Sequence, residues 1–173
     1  MNWRILAVAL VLVWTGIAGQ AQEVRAGRDD LIITSVDRSQ LEDIVRTAGH
    51  MVEGADVREG EAVVFGLAPD GLRYGLIGKN CGNPVAGSGC VGLQMLALFN
   101  GEGDLTADEV NRLDYRLAAV GVWLVPAPTG QTVREVGVNR YLVLDRGQTL
   151  GNLDFNLKVF VMAANEVRTQ LGP

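Results

Sequence analysis

The stretch of sequence that decides the fold is LRYGLIGKNCGNPVAGSGCVGLQMLALF, residues 72–99. It contains two apolar runs, Leu72 to Ile77 and Cys90 to Phe99, joined by a glycine-rich loop that two cysteines bracket. Both runs are short enough for strands, and Gly92 and Gln94 interrupt the second, which favours a central strand over an export segment. Because loops of hairpin length join such strands, we expect antiparallel pairing.

The two cysteines of the chain, Cys81 and Cys90, indicate its redox environment. Residues 82–89 separate them, so they do not form the Cys-x-x-Cys motif of redox enzymes. A metal site would need further ligands, and His50 is the only histidine. In an exported chain we therefore expect a structural disulfide between neighbouring strands. A reversible thiol redox pair is the alternative.

The N-terminus has the features of a signal peptide. Arg4 provides a positive charge, Ile5 to Trp14 is an unbroken apolar run, and residues 19–21 include the small residues that a signal peptidase needs. The ten residues of this run would rise only about 15 Å as a helix, which is half of a bilayer core. We therefore predict a cleaved signal peptide, 1–21, and a periplasmic or secreted protein without a stable membrane span. An uncleaved anchor continuing through residues 15–18 is the alternative.

Composition and charge restrict the possible partners. The formal net charge is −5 and no block of basic residues occurs, so we expect neither nucleic acid nor anionic lipid as a partner. Charged residues make up 20% and hydrophobic residues 48% of the chain, a balance that favours a packed core over disorder. We expect a polar leader of uncertain order at residues 22–38 and one domain at residues 39–171.

Capping signals place three helices along this domain. Ser39 to Glu42 and Thr106 to Glu109 each match a capping box, with helix ends predicted at Gly49 and Gly121, and Asn152 is the predicted cap of a last helix. Predicted strands occupy 51–57, 62–67, 72–77, 90–99, 122–125 and 138–144, with shorter runs at 30–33 and 132–136. The predicted fold class is therefore α+β: an antiparallel sheet meander with helices packed on it, in the order helix, strands, helix, strand hairpin, helix.

Residues 100–111 resemble a calcium-binding loop only loosely. Oxygen-bearing side chains alternate there, but the sixth position is Leu105 instead of glycine and the twelfth is Asn111 instead of glutamate. A turn followed by a capped helix accounts for the same residues. We therefore predict no metal site.

No catalytic constellation stands out elsewhere. Ser88 could form a nucleophilic triad only by recruiting His50, which we interpret as a solvated residue in a turn. The carboxylates fall at caps and turns, so no acid–base pair can be nominated. Trp123 is interpreted as a core residue, with an exposed binding surface as the alternative. We predict no catalytic, cofactor-binding or metal-binding residues.

The chain resembles the YbjN family, which is described as bacterial sensory transduction regulators. The resemblance covers residues 39–171, and its most specific part is the cysteine pair followed by Leu93-Gln94. It continues with Val110-Asn111 on the middle helix and the Gly-Gln-Thr turn at residues 147–149. The resemblance implies a fold similar to that of type III secretion chaperones. It also implies a protein-binding role, a homodimer as one arrangement, and no catalytic residues.

Three functional hypotheses follow. The first is an exported, non-enzymatic domain that binds another protein or acts as a chaperone-like regulator. The second is a carrier for a small apolar ligand, held between the helices and the sheet. The third is a thiol redox protein that uses Cys81 and Cys90.

Overall fold

The computed structural model describes residues 27, 29–101, 106–125 and 134–171. Its helices are α1 (Arg38–Thr47), α2 (Ala107–Arg116) and α3 (Leu150–Leu171). Its strands are β1 (Ile32–Ile33), β2 (Met51–Arg58), β3 (Glu61–Leu67), β4 (Arg73–Asn83), β5 (Ser88–Gly101), β6 (Gly121–Val125), β7 (Arg134–Val143) and β8 (Gln148–Thr149). The predicted signal peptide lies outside these described residues.

Six strands form one antiparallel sheet in the order β2-β3-β4-β5-β7-β6, and β1 pairs with β8 in a separate small sheet. The predicted α+β class and the order of helices and strand groups are confirmed. The deciding stretch forms the central hairpin, in which Leu76 lies opposite Met95 and Cys81 opposite Cys90. The sheet is therefore organised around the pair of strands that the two apolar runs predicted.

The three helices pack against one face of the sheet and bury the core there. Alternate residues of each strand point to this face because side chains in a strand have a period of two. Leu76, Leu93 and Met95 of the central hairpin are fully buried, as are Leu157 and Phe160 of α3. Each such side chain stabilises the fold by roughly 1.5–3 kcal/mol through its removal from water.

Helix α1 begins earlier than the predicted capping box. Its N-cap is Asp37, whose carboxylate accepts a 2.9 Å hydrogen bond from the Gln40 backbone N–H. The Gln40 side chain in turn accepts from the Asp37 N–H, also at 2.9 Å. Ser39, the predicted cap, instead donates its hydroxyl to the Asp37 carboxylate. The prediction of Ser39 was wrong because the Asp37 carboxylate, two residues earlier, accepts from the Gln40 N–H and starts the helix there.

The other two helix boundaries differ in a similar way. The capping box from Thr106 to Glu109 is confirmed, but α2 ends at Arg116 and a turn leads on to Gly121. Helix α3 begins before Asn152, because the Thr149 hydroxyl accepts from the Asn152 N–H and caps the first turn.

The strands are longer than the apolar runs alone indicated. β4 continues to Asn83 and β5 begins at Ser88, so much of the predicted loop is paired backbone. β7 is one strand, Arg134–Val143, where two shorter runs were predicted. The additional paired residues include glycine and asparagine. Because these residue types have a weak preference for strands, the sequence pattern did not predict strand there.

The packed domain also begins before the predicted boundary at Ser39. Val36 is fully buried and exchanges two 2.9 Å backbone hydrogen bonds with Cys90. Just before it, Ile32 and Ile33 pair with β8. The second half of the predicted polar leader is therefore part of the fold.

On each outer strand of the main sheet, one backbone N–H donates its hydrogen bond to an aspartate carboxylate. In β2, the Val57 N–H donates to the carboxylate of Asp56 at 2.8 Å. In β6, the Val122 N–H donates to the carboxylate of Asp114, on α2, at 2.7 Å. An edge strand with free donors is a template for pairing with another chain, and inserted carboxylates oppose that.

Candidate functional site: the open face of the sheet

The face of the sheet opposite the helices carries an apolar groove. Its walls come from outward-facing residues of β3, β4 and β5, and its volume is about 360 Å³. Leu98, at one side, is 50% exposed although it lies on a central strand. We define the apolar groove by these side chains and the glycine between them: Val63, Phe65, Gly75, Ile77, Leu96 and Leu98.

Gly75 forms the floor of the apolar groove. It lies opposite Phe65 on one neighbouring strand and opposite Leu96 on the other. A Cβ at this position would have only the Ile77 side chain and the Leu96 carbonyl near it, each at 4.0 Å. The missing side chain therefore leaves a depression between two rows of apolar side chains.

The charges around the apolar groove are paired with one another. Arg73 lies 3.0 Å from the Glu53 carboxylate, and Lys79 lies 2.6 Å from that of Glu61. The Lys79–Glu61 pair is partly buried, and an exposed pair such as Arg73–Glu53 contributes at most about 1 kcal/mol to stability. Because the opposite charges lie side by side, they leave the rim with little net field.

A third ion pair also covers part of the groove wall. The Arg58 guanidinium lies 5.1 Å from the ring centroid of Phe65, within the range of a cation–π contact. Its Nε is 3.2 Å from the Asp56 carboxylate. Arg58 thus shields one side of an otherwise exposed aromatic ring.

The predicted cysteine pair forms a cross-strand bridge, with the two sulfur atoms 2.04 Å apart. Cys90 is fully buried and Cys81 is half-buried. The bridge lies against Gly78, where a Cβ would be only 2.8 Å from the Cys90 sulfur. Thiol exchange requires access of an attacking thiolate to a sulfur, and this packing restricts that access.

His50 has a partner that the sequence pattern did not indicate. Its Nδ1 lies 2.7 Å from the hydroxyl oxygen of Tyr74, and the Tyr74 ring packs edge-on against Phe160 in the core. Burial raises the pKa of Tyr74 above its usual range. Burial also lowers the pKa of His50, with a smaller opposing effect of Asp70. The pair couples the end of α1 to the core, so His50 is not simply a solvated turn residue.

The remaining sequence candidates do not assemble into a reactive site. Ser88 lies beyond the disulfide, opposite Asn83 at the far end of β4. Asn83 is nine residues from Tyr74, so about 30 Å of strand separates Ser88 from His50. Residues 102–105 of the calcium-like loop lie outside the described residues. Among the residues that are described, no group of three or more acidic, cysteine or histidine side chains is placed to hold a metal ion.

Trp123 lies on the open face, beside the apolar groove. It is half-buried, because its ring lies across Gly137 of the neighbouring strand β7. Leu98 pairs with the same glycine from the other side. The structure therefore places Trp123 outside the helix-covered core.

Comparison of the chain with family models, with curated proteins and with solved structures finds no match. The resemblance to the YbjN family thus remains a prediction from the residues quoted above. Within the described parts of the chain, the helices are too short or too polar to cross a membrane.

Proposed function

We propose that this protein is an exported, non-enzymatic domain that binds another protein through the apolar groove. The observation that carries the proposal is an apolar depression on a sheet whose opposite face is already packed by helices. Exposed contiguous apolar surface is uncommon on monomeric proteins and marks interaction sites. The cross-strand disulfide and the N-terminal signal features support a location outside the cytoplasm.

The expected partner presents an uncharged, apolar segment. The ion pairs at the rim satisfy one another, so a charged segment would gain little there and would lose its own hydration. Gly75 leaves room for one or two side chains to enter between Phe65 and Leu96. Such buried apolar anchors supply most of the energy in protein interfaces.

The edge aspartates favour docking on the face over pairing at an edge. A partner strand added to β6 would have to displace Asp114 from the Val122 N–H. At β2 it would have to displace Asp56 from the Val57 N–H. Either exchange loses a charge-assisted hydrogen bond that is already formed.

The test combines site-specific crosslinking with a variant that fills the groove. A photo-crosslinking residue at Leu98 should capture one protein from the envelope, which mass spectrometry identifies. The captured peptide should be apolar and uncharged. The variant Gly75→Leu should abolish that adduct while the protein keeps its thermal midpoint, because a Cβ at this position meets its neighbours only at 4.0 Å, an ordinary contact distance.

A crosslinker at Tyr115 serves as the matched control, because this residue is 91% exposed on α2, away from the groove. Equal capture from both positions, or an adduct that survives Gly75→Leu, would refute the proposal.

A small apolar ligand is the second candidate, since a volume of about 360 Å³ lies at the lower end of the range for small-molecule sites. This ligand would lie on the open face and not between helices and sheet, where side chains already fill the space. Native mass spectrometry of the purified protein would detect a co-purified lipid. A bound lipid that Gly75→Leu removes would favour this candidate over protein binding.

A further inference from the structure

Beside the apolar groove, three outward side chains of β6 and β7 each extend across a glycine of an adjacent strand. In each case a Cβ on that glycine would collide with the side chain above it. The arrangement is Trp123 over Gly137, Asn139 over Gly121 and Tyr141 over Gly92.

These side chains form a continuous strip. Gly137, Asn139 and Tyr141 alternate along β7 on the open face, and Gln94 lies directly opposite Tyr141 on β5. We call Trp123, Asn139, Tyr141 and Gln94 the aromatic–amide strip. About 13 Å of strand separates Gly137, under the tryptophan, from Tyr141, and Asn139 lies midway between them.

The strip is held in place before any ligand arrives. The Tyr141 hydroxyl accepts a 3.2 Å hydrogen bond from the Asn80 side chain. The Trp123 ring rests on the backbone at Gly137. Tyr141 is nevertheless 47% exposed. Side chains that are already ordered lose little conformational entropy on binding.

We propose that the aromatic–amide strip binds neutral carbohydrate, with pyranose rings stacked on Trp123 and Tyr141 and hydroxyl groups hydrogen-bonded to the amides between them. Flat aromatic faces suit a ring-shaped ligand that presents C–H groups on one face. The amides of Asn139 and Gln94 offer both donors and acceptors, which is what sugar hydroxyls require.

Other ligand classes fit the strip less well. Nucleic-acid bases also stack on aromatic rings, but they arrive with phosphates that need basic residues. The strip itself has none, the adjacent Lys79 is already paired with Glu61, and the chain has a net charge of −5. Protein anchors fill pockets, whereas the two rings of the strip lie across backbone glycines and, within the described residues, border no pocket between them. The groove next to the strip is the better site for an apolar protein segment.

The test uses calorimetric titration of the full chain with soluble β-1,4-linked oligosaccharides of glucose and of N-acetylglucosamine. We expect saturable binding that Trp123→Ala and Tyr141→Ala each weaken by about tenfold or more. Tyr141→Phe should retain most of the affinity, because it keeps the stacking ring. Tyr115→Ala, on α2, is the matched control and should bind as the wild type does.

Two further measurements separate a lost site from a lost fold. Each variant should keep the wild-type thermal midpoint within a few degrees. Gly137→Ala should weaken binding as well, because its Cβ would lift the Trp123 ring while leaving it in the protein.

In the titration, either of two results would overturn the proposal: no binding of either oligosaccharide at its solubility limit, or wild-type affinity in Trp123→Ala. Capture of an envelope protein at Trp123, with no carbohydrate bound, would also overturn it and assign the strip to the protein interface. Loss of protein capture in Gly75→Leu with carbohydrate binding intact would show that the two sites are separate.

Discussion

Removal of the bridge between Cys81 and Cys90 should lower the free energy of unfolding by an amount that the loop length sets. The cysteines are nine positions apart in sequence. In the chain-entropy model, closing a loop of that length removes about 9 cal/mol/K from the unfolded chain, or about 2.6 kcal/mol at 25 °C. The native state should change little, because the Val36 pairing uses the backbone of Cys90 and not its side chain.

Urea unfolding of the oxidised protein and of the double variant Cys81→Ala/Cys90→Ala measures this difference in free energy. In a thermal scan of the same two proteins, the midpoint should fall by about 5–10 °C, at about 2–4 °C per kcal/mol for a chain of this size. Reductant should destabilise the wild-type protein to a similar extent and leave the double variant unchanged, which controls for effects of the reductant itself. Equal stability of the oxidised and reduced protein would refute a stabilising role for the disulfide.

Three other predictions concern single side chains. Asp114→Ala should free the Val122 N–H, lower stability by about 1 kcal/mol and promote self-association through β6, visible by light scattering at increasing concentration. Because burial lowers the pKa of His50, the unfolded chain binds more protons below pH 6.5, so stability should fall as the pH drops through that value and should fall less in His50→Gln. Gly78→Ala should destabilise the fold by about 1–3 kcal/mol through overpacking, whereas Gly75→Ala, on the opposite face of the same strand, should be neutral or stabilising.

Each of these predictions has a contradicting result. If Asp114→Ala stayed monomeric at high concentration, the Asp114 carboxylate would not be what prevents strand pairing at β6. The control is Asp108→Ala, in the first turn of α2. Parallel pH profiles of wild type and His50→Gln would remove His50 as a source of acid sensitivity. Equal effects of alanine at the two glycines would mean that the two faces of β4 are equally packed.

The fold class could be predicted because its signals are local. The two apolar runs of residues 72–99 mark the central hairpin, and the Thr106 capping box marks α2. The start of α1 was misplaced because two overlapping capping patterns fit the same segment, and only the geometry shows that Asp37 takes the backbone donor. The extension of β4 was missed because a disulfide and neighbouring strands can hold residues that have little strand preference of their own.

The candidate site could be predicted far less well. Val63 and Phe65 lie in a run of small and apolar residues, 62–67, and such a strand pattern does not say which face the helices cover. Gly75 and Gly137 look alike in sequence, yet one forms the floor of the groove and the other lies under the Trp123 ring. These distinctions depend on which strands become neighbours, which is settled by tertiary packing.

The aspartate on the β2 edge also determines how the protein tolerates acid. The hydrogen bond from the Val57 N–H, together with the nearby Arg58, lowers the pKa of Asp56 below its ordinary value. This carboxylate therefore keeps its charge at acidities at which ordinary surface aspartates become protonated. The export that we propose would expose the protein to the pH of its surroundings, and pairing of a further strand at this edge should remain blocked when the medium turns acidic.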